Sequence, residues 1–250
     1  MRWRARTIVH LHGARRASRP QLKRDPLGRG GISMWRRLMR WLSSRWRAVH
    51  PDLPWHDPGP ANPFGIRVLD CRDVTWSMVA ATADPKVAER FVLLRGSDGK
   101  ELIGAPIPDP VRLPTSLRFP HNGASLEGVV FKADAMEIKW DIFIYDSVFL
   151  FARSWTGELC YRAVAKVGPT EIHITEIECP AKDAEVAASH VYFLIGTHAM
   201  GRVLPHRLPA TTPHDPVTMA TVSFALFGRL GCYATFENVT GIPIIWPSAG

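Results

Sequence analysis

The chain is short of everything that marks a metal or cofactor enzyme. None of its four cysteines, Cys71, Cys160, Cys179 and Cys232, forms a C-x-x-C pair or stands near a histidine at zinc-finger spacing. They read as free thiols of a reducing compartment. The longest apolar run, around Ile142–Ala152, is broken by Asp146 and Ser147 and is too short to span a bilayer. The phosphate-cradling G-x-x-x-x-G-K, a complete G-x-G-x-x-G, H-E-x-x-H, H-x-E and G-x-S-x-G are all missing. Gly28-Arg29-Gly30-Gly31 follows no expected strand and has Ser33 at its sixth position. No cofactor and no metal is therefore read.

Acidic residues are scarce in one place only. Residues 1–50 hold fourteen Lys or Arg and the single acid Asp25, a formal +13, whereas residues 51–250 sum to −5, giving the chain its net +8. The basicity belongs to an N-terminal arm, and the body is mildly acidic. That asymmetry argues against a basic globular nucleic-acid binder; arginines of the arm offer phosphates only salt-sensitive, non-specific affinity. Residues 1–33 show no hydrophobic period and carry Arg and Gly throughout, so the expectation is a disordered leader. Met34 opens a different segment, which leaves two readings of 1–33, an over-translated stretch or an organellar transit peptide.

Residues 34–50 are a basic amphipathic helix by spacing. Trp35, Leu38, Met39, Leu42, Trp46 and Val49 share one face, Arg36, Arg37, Arg40 and Arg47 the other, and Trp41 sits at the flank. Trp35, Leu38, Trp41, Leu42 and Trp46 are candidate contacts for an anionic membrane surface or a partner's groove, or dock on the chain's own domain. The Pro-rich stretch 51–61 reads as a semi-rigid linker.

The body, residues 62–240, reads as one α+β domain, with 241–250 as a tail. Ile66–Cys71 has strand character, and Asp73 is a candidate cap for a short helix over 74–81. Asp84-Pro85 and Asp215-Pro216 pair an N-cap acid with proline at N1, predicting helices over about 85–95 and 216–230. A third helix is expected over 184–200. Five prolines between Pro106 and Pro120 predict a long irregular loop. Between 139 and 178, four β-branched and aromatic runs are separated by Asp146-Ser147, Thr156-Gly157 and Gly168-Pro169. These spacings predict a four-stranded antiparallel meander packed with the flanking helices.

Chemistry concentrates at Phe151-Ala152-Arg153-Ser154-Trp155-Thr156-Gly157-Glu158. With Asp146-Ser147 as a two-residue turn, Arg153 falls opposite Trp140, beside Asp141. Arg153, Trp155, Trp140, Asp141 and Tyr145 are thus the candidate ligand-binding set. Arg153 either recognises a phosphate or carboxylate or is satisfied structurally by a ring and a neighbouring acid. A two-residue Thr156-Gly157 turn would put Cys160 opposite Arg153, but no oriented base for it can be placed. No catalytic residue is assigned.

The run W-D-x-x-x-Y-D followed by F-A-R-S-W-T-G-E resembles a motif of uncharacterised bacterial proteins. The resemblance covers residues 62–240 and implies a family core made of the meander and its Arg-Ser-Trp-Thr-Gly corner; it implies no activity. The sequence therefore supports first a non-enzymatic binding or interaction protein of the cytoplasm, with a protein partner. The alternatives are a small enzyme or binding domain for an anionic substrate, and a membrane-peripheral protein anchored by residues 34–50.

Overall fold

The computed structural model describes residues 53–242. In chain order the elements are β1 (Trp55–His56), β2 (Val68–Asp70), α1 (Arg72–Ser77), α2 (Pro85–Leu94), β3 (Pro110–Pro120), β4 (Gly128–Phe131), β5 (Trp140–Tyr145), β6 (Val148–Arg153), β7 (Leu159–Val167), β8 (Glu171–Pro180), α3 (Ala187–Leu194), β9 (Pro205–Arg207), α4 (Pro216–Phe227) and β10 (Tyr233–Thr235). The architecture is α+β, with two mainly antiparallel sheets and few helices. No helix among the described residues is long and apolar enough to cross a membrane.

The expected meander is present, but inside a larger sheet. Its order is β3-β8-β7-β6-β5-β4, six strands rather than four. The proline-rich stretch read as an irregular loop is its edge strand β3, paired with β8 from Pro110↔Pro180 to Pro120↔Glu171. Proline lacks the amide proton that an inner strand needs, so an edge position tolerates it. A bulge between Pro114 and Leu117 absorbs the irregularity. The second sheet, β1-β2-β10-β9, contains one parallel pair, β9 with β10.

Both faces of the large sheet are covered, which explains why every residue of β5 is buried. Trp140, Ile142 and Ile144 face the main core, with Phe149, Phe151, Tyr161 and helix α3. Phe143 and Tyr145 face a smaller cluster with Leu102, Ile107 and Leu150. Helix α4 packs against the second sheet through Met219, Ala220, Leu69 and Ala234.

The helix caps follow the sequence at two of three sites. Asp84 accepts from Lys86 N at 2.9 Å, and Asp215 from Thr218 N at 3.1 Å. Asp73 does not cap; α1 begins after Cys71 and places Asp73 in its first turn. The span 184–200 is not one regular helix. A 3-10 turn (Ala181–Asp183) precedes α3, and a π-helical turn (Ile195–Ala199) follows it. Helix α4 stops at Phe227 and a 3-10 turn completes the span.

The stop depends on Gly228, whose φ is 64°. A Cβ there would collide with the Glu137 carbonyl, which itself accepts from Arg229 N at 3.1 Å. Gly228→Ala should therefore cost about 3 kcal/mol or more of stability, from backbone strain plus a forced shift of residues 137–139. The readout is the urea midpoint; a loss below about 1 kcal/mol would mean the corner relaxes freely.

Candidate functional site

The site begins with a turn. Asp146 and Ser147 both have positive φ, 49° and 62°, and close β5 onto β6 as a two-residue hairpin. Trp140 pairs with Arg153 as the spacing predicts, and the guanidinium lies 4.7 Å from the indole ring centre. Asp141 does not join them. Side chains alternate along a strand, so its carboxylate points to the opposite face. There it accepts from Ala133 N at 2.8 Å and from Lys132 Nζ at 2.9 Å. Tyr145 lies on that opposite face as well, donating to Asp98 O at 2.7 Å.

The corner after β6 is longer than two residues. Arg153 N donates to Glu158 O, and Gly157 N donates back to Arg153 O. Arg153 is thus opposite Glu158, not Cys160. Cys160 is the extra residue of a bulge, between the pairs Phe151↔Tyr161 and Ala152↔Leu159. Such a bulge re-aims a side chain, and Cys160 lines a cleft with Arg153 all the same. Burial outweighs the neighbouring guanidinium and pushes the Cys160 thiol up to about 12. It is protonated and a poor nucleophile.

Arg153 itself is engaged by a helix end. Nη1 donates to Leu226 O and Nη2 to Ala225 O, each at 2.9 Å, while Trp140 Nε1 donates to Leu226 O at 2.6 Å. The last carbonyls of a helix have no partner within it and carry partial negative charge. The guanidinium fork and the indole supply both needs for α4. Trp155 sits to the other side, its Nε1 donating to Met136 O at 2.7 Å.

Two clefts flank this tether. One, about 270 Å3, holds Cys160, Tyr161, Asp183 and His190 beside Arg153 and Trp140. The other, about 480 Å3, lies between Trp155 and Phe224, with Val79, Lys139, Arg153 and Glu158 in its walls. A separate, largely apolar cavity of about 420 Å3 lies between Phe149, Ile172 and the π-helical turn, with Arg202 in its wall.

Lys139 is the residue the sequence did not expose. Its Nζ donates to Met136 O at 2.9 Å and lies 4.3 Å from the Trp155 ring centre and 4.9 Å from that of Phe224. Burial, reinforced by the charge of Arg153, brings its proton affinity down to about 8. The available signal was weak: one lysine immediately before Trp140, the first residue of a strand whose single charged residue is Asp141.

In the first cleft, Tyr161 and His190 form a buried pair. His190 Nε2 lies 3.3 Å from Arg207 O and donates to it, so Nδ1 accepts from the Tyr161 hydroxyl at 2.9 Å. Burial brings His190 down to about 4 and holds it neutral. His198 and His206 are buried among Phe131, Phe193 and Phe227, and burial brings each to about 3. No group of His, Cys, Asp and Glu among the described residues could hold a metal ion.

Of the sequence-expected ligand set, the structure brings together Arg153, Trp140 and Trp155, and places Asp141 and Tyr145 elsewhere. Trp35, Leu38, Trp41, Leu42 and Trp46 lie outside the described residues. Comparison with family models, curated proteins and solved structures gives no match. The site's own geometry therefore carries the functional reading.

Two outcomes follow. Arg153→Ala should lower the unfolding free energy by about 3 kcal/mol, the loss of two charge-assisted hydrogen bonds, one of which leaves Ala225 O without its guanidinium donor while Leu226 O keeps Trp140. Arg153→Lys should recover less than half, since a point charge cannot fork. Chemical denaturation measures both, and an undiminished Arg153→Ala protein would show that the tether carries no stability.

The histidines set an acid limit. His190, His198 and His206 stay neutral in the fold, whereas unfolded imidazole takes a proton below about 6.5. The unfolded chain therefore binds more protons on acidification. Their contribution is complete above about pH 6.5 and is lost as pH falls toward about 4 for His190 and about 3 for His198 and His206. Stability should fall by up to about 1.4 kcal/mol per pH unit for each. His198→Phe should remove roughly one proton from that slope; an unaltered slope would assign the acid loss to other groups.

Proposed function

We propose that the chain is a small-ligand-binding protein whose ligand is an anion with an apolar body, received in the cleft between Trp155 and Phe224. One observation carries this reading. Lys139 and Arg153 both line that cleft, and among the described residues neither is ion-paired: Arg153 is spent on the carbonyls of Ala225 and Leu226, and Lys139 on the carbonyl of Met136. A carbonyl offers only part of a negative charge, so the two cations face the single carboxylate of Glu158 and one positive charge is left over in a pocket otherwise walled by Val79, Phe224 and Trp155. Apolar walls with a few convergent polar groups are the usual form of a small-molecule site. A carboxylate or phosphate supplies the missing charge.

This reading joins two of the sequence expectations, binding rather than turnover and an anionic ligand around Arg153. The binding protein is proposed as cytoplasmic. Its basic segment 34–50 would make the protein or membrane contact, a reading supported by the amphipathic spacing. Interaction with a protein partner has one further support, the exposed Trp76 and Val79, which are 62% and 76% accessible. Val79 is also in the cleft wall.

Thermal unfolding of the full chain with butyrate, inorganic phosphate or neutral butyramide tests the reading. Butyrate should raise the midpoint in proportion to the logarithm of its concentration, butyramide should not, and Lys139→Met should abolish the response. Equal stabilisation by butyramide, or none by either anion, would remove the anion site.

A further inference from the structure

We propose that Lys139 is a carbonyl-reactive amine, and that the anion received beside it is a 2-oxo carboxylate held as an imine. This rests on the anion-binding reading above and names its ligand class.

The geometry is that of a shielded nitrogen facing a cavity. The Lys139 amino group has the Met136 carbonyl at 2.9 Å on one side and the rings of Trp155 and Phe224 within 4.9 Å. Directing one N–H to that carbonyl leaves the neutral amine a lone pair for the cleft. The charged groups around it are Arg153 on β6, Glu137 on its own segment and Glu158 in the corner. Glu137 favours the protonated form; burial and Arg153 oppose it and prevail, leaving the amine half neutral at about pH 8. An ordinary lysine at that pH is neutral in well under 1% of molecules, so the reactive fraction rises on the order of 100-fold. A lysine desolvated in an apolar pocket beside a second cation is the arrangement that makes an amine nucleophilic toward carbonyls.

The step balances without an oxidant. The Nζ lone pair attacks the keto carbon and a C–N bond forms. The C–O π pair moves to oxygen, which takes up one of the protons the nitrogen gives up, yielding a carbinolamine. The nitrogen lone pair then forms C=N as the C–O bond breaks, and the hydroxyl leaves as water with the second nitrogen proton, so amine and 2-oxo acid become imine and water. Glu158 lines the same cleft and is the carboxylate assigned to carry the proton from nitrogen to oxygen. The ligand carboxylate faces the charge of Arg153, and its alkyl end faces Val79 and Phe224.

The experiment treats the full chain with pyruvate and sodium borohydride and maps the reduced adduct by peptide mass spectrometry. Butyrate, which has no keto group, serves as competitor, and the midpoint shift with butyrate is read on the same protein. The expected result is modification at Lys139 at least ~10-fold faster than at any other lysine near pH 8, with a pH profile centred there, suppression by butyrate, and no adduct at that position in Lys139→Arg. Modification spread evenly over Lys86, Lys100, Lys166 and Lys182, or a Lys139 profile centred above about pH 10, overturns the inference. Stabilisation by butyrate without a pyruvate adduct also overturns it while leaving the anion site standing. Neither stabilisation nor adduct removes both. If Lys139→Arg fails to fold, the wild-type site distribution and pH profile decide.

Discussion

The end of helix α4 is the constraint on which the rest of the structure depends. Its last carbonyls, at Ala225 and Leu226, face the six-stranded sheet rather than water, and a buried acceptor without a donor costs about 1–3 kcal/mol. Trp140 and Arg153 answer that demand from paired positions on adjacent strands. Their pairing is set in turn by the left-handed residues Asp146 and Ser147. A hairpin of one more or one fewer residue would turn one of the two side chains to the opposite face. The register of the meander, the docking of α4 and the formation of both flanking clefts therefore share a single local cause.

That cause was legible in the sequence because it is local. A two-residue separator between apolar runs fixes a hairpin, and the hairpin fixes Trp140 against Arg153. The same counting failed at Thr156-Gly157. There the chain closes through Arg153 and Glu158 and then inserts Cys160 as a bulge, and no side-chain pattern announces a bulge. Asp141 was misplaced by adjacency: its neighbour Trp140 meets Arg153, but the pleat sends Asp141 to Lys132 and the Ala133 amide. Strand β3 was hidden by its prolines, which weaken a strand only where an inward amide is required, and nothing local to 110–120 says that this strand lies at an edge.

The titratable chemistry was illegible for a different reason. Lys139, His190, His198 and His206 owe their altered proton affinities to burial, a property of the assembled fold. Two of them share a second cause, since the Arg153 guanidinium depresses both Lys139 and His190. Seen from sequence Lys139 and His190 are 87 and 36 positions from Leu226, at the helix end that holds Arg153 in place. Only the packing of α4 between them turns one capping arginine into the electrostatic centre of two clefts.

Glu158 and Asp183 stand close enough to Arg153 to favour its charge, yet among the described residues neither forms an ion pair with it, and the fold has a reason for that. A guanidinium forked onto a carboxylate would be drawn from Ala225 and Leu226, leaving Ala225 O without the donor that Arg153 supplies and Leu226 O with Trp140 Nε1 alone. A helix terminus supplies only about half an elementary charge, so the arginine remains partly uncompensated for as long as it serves as the cap. Lys139, shielded from water by Trp155 and Phe224, feels that residue of positive charge and gives up its proton more readily. Capping the helix and activating the amine are thus one electrostatic arrangement. An anion entering the cleft from solvent can balance it without competing for the guanidinium hydrogens that hold α4 to the sheet.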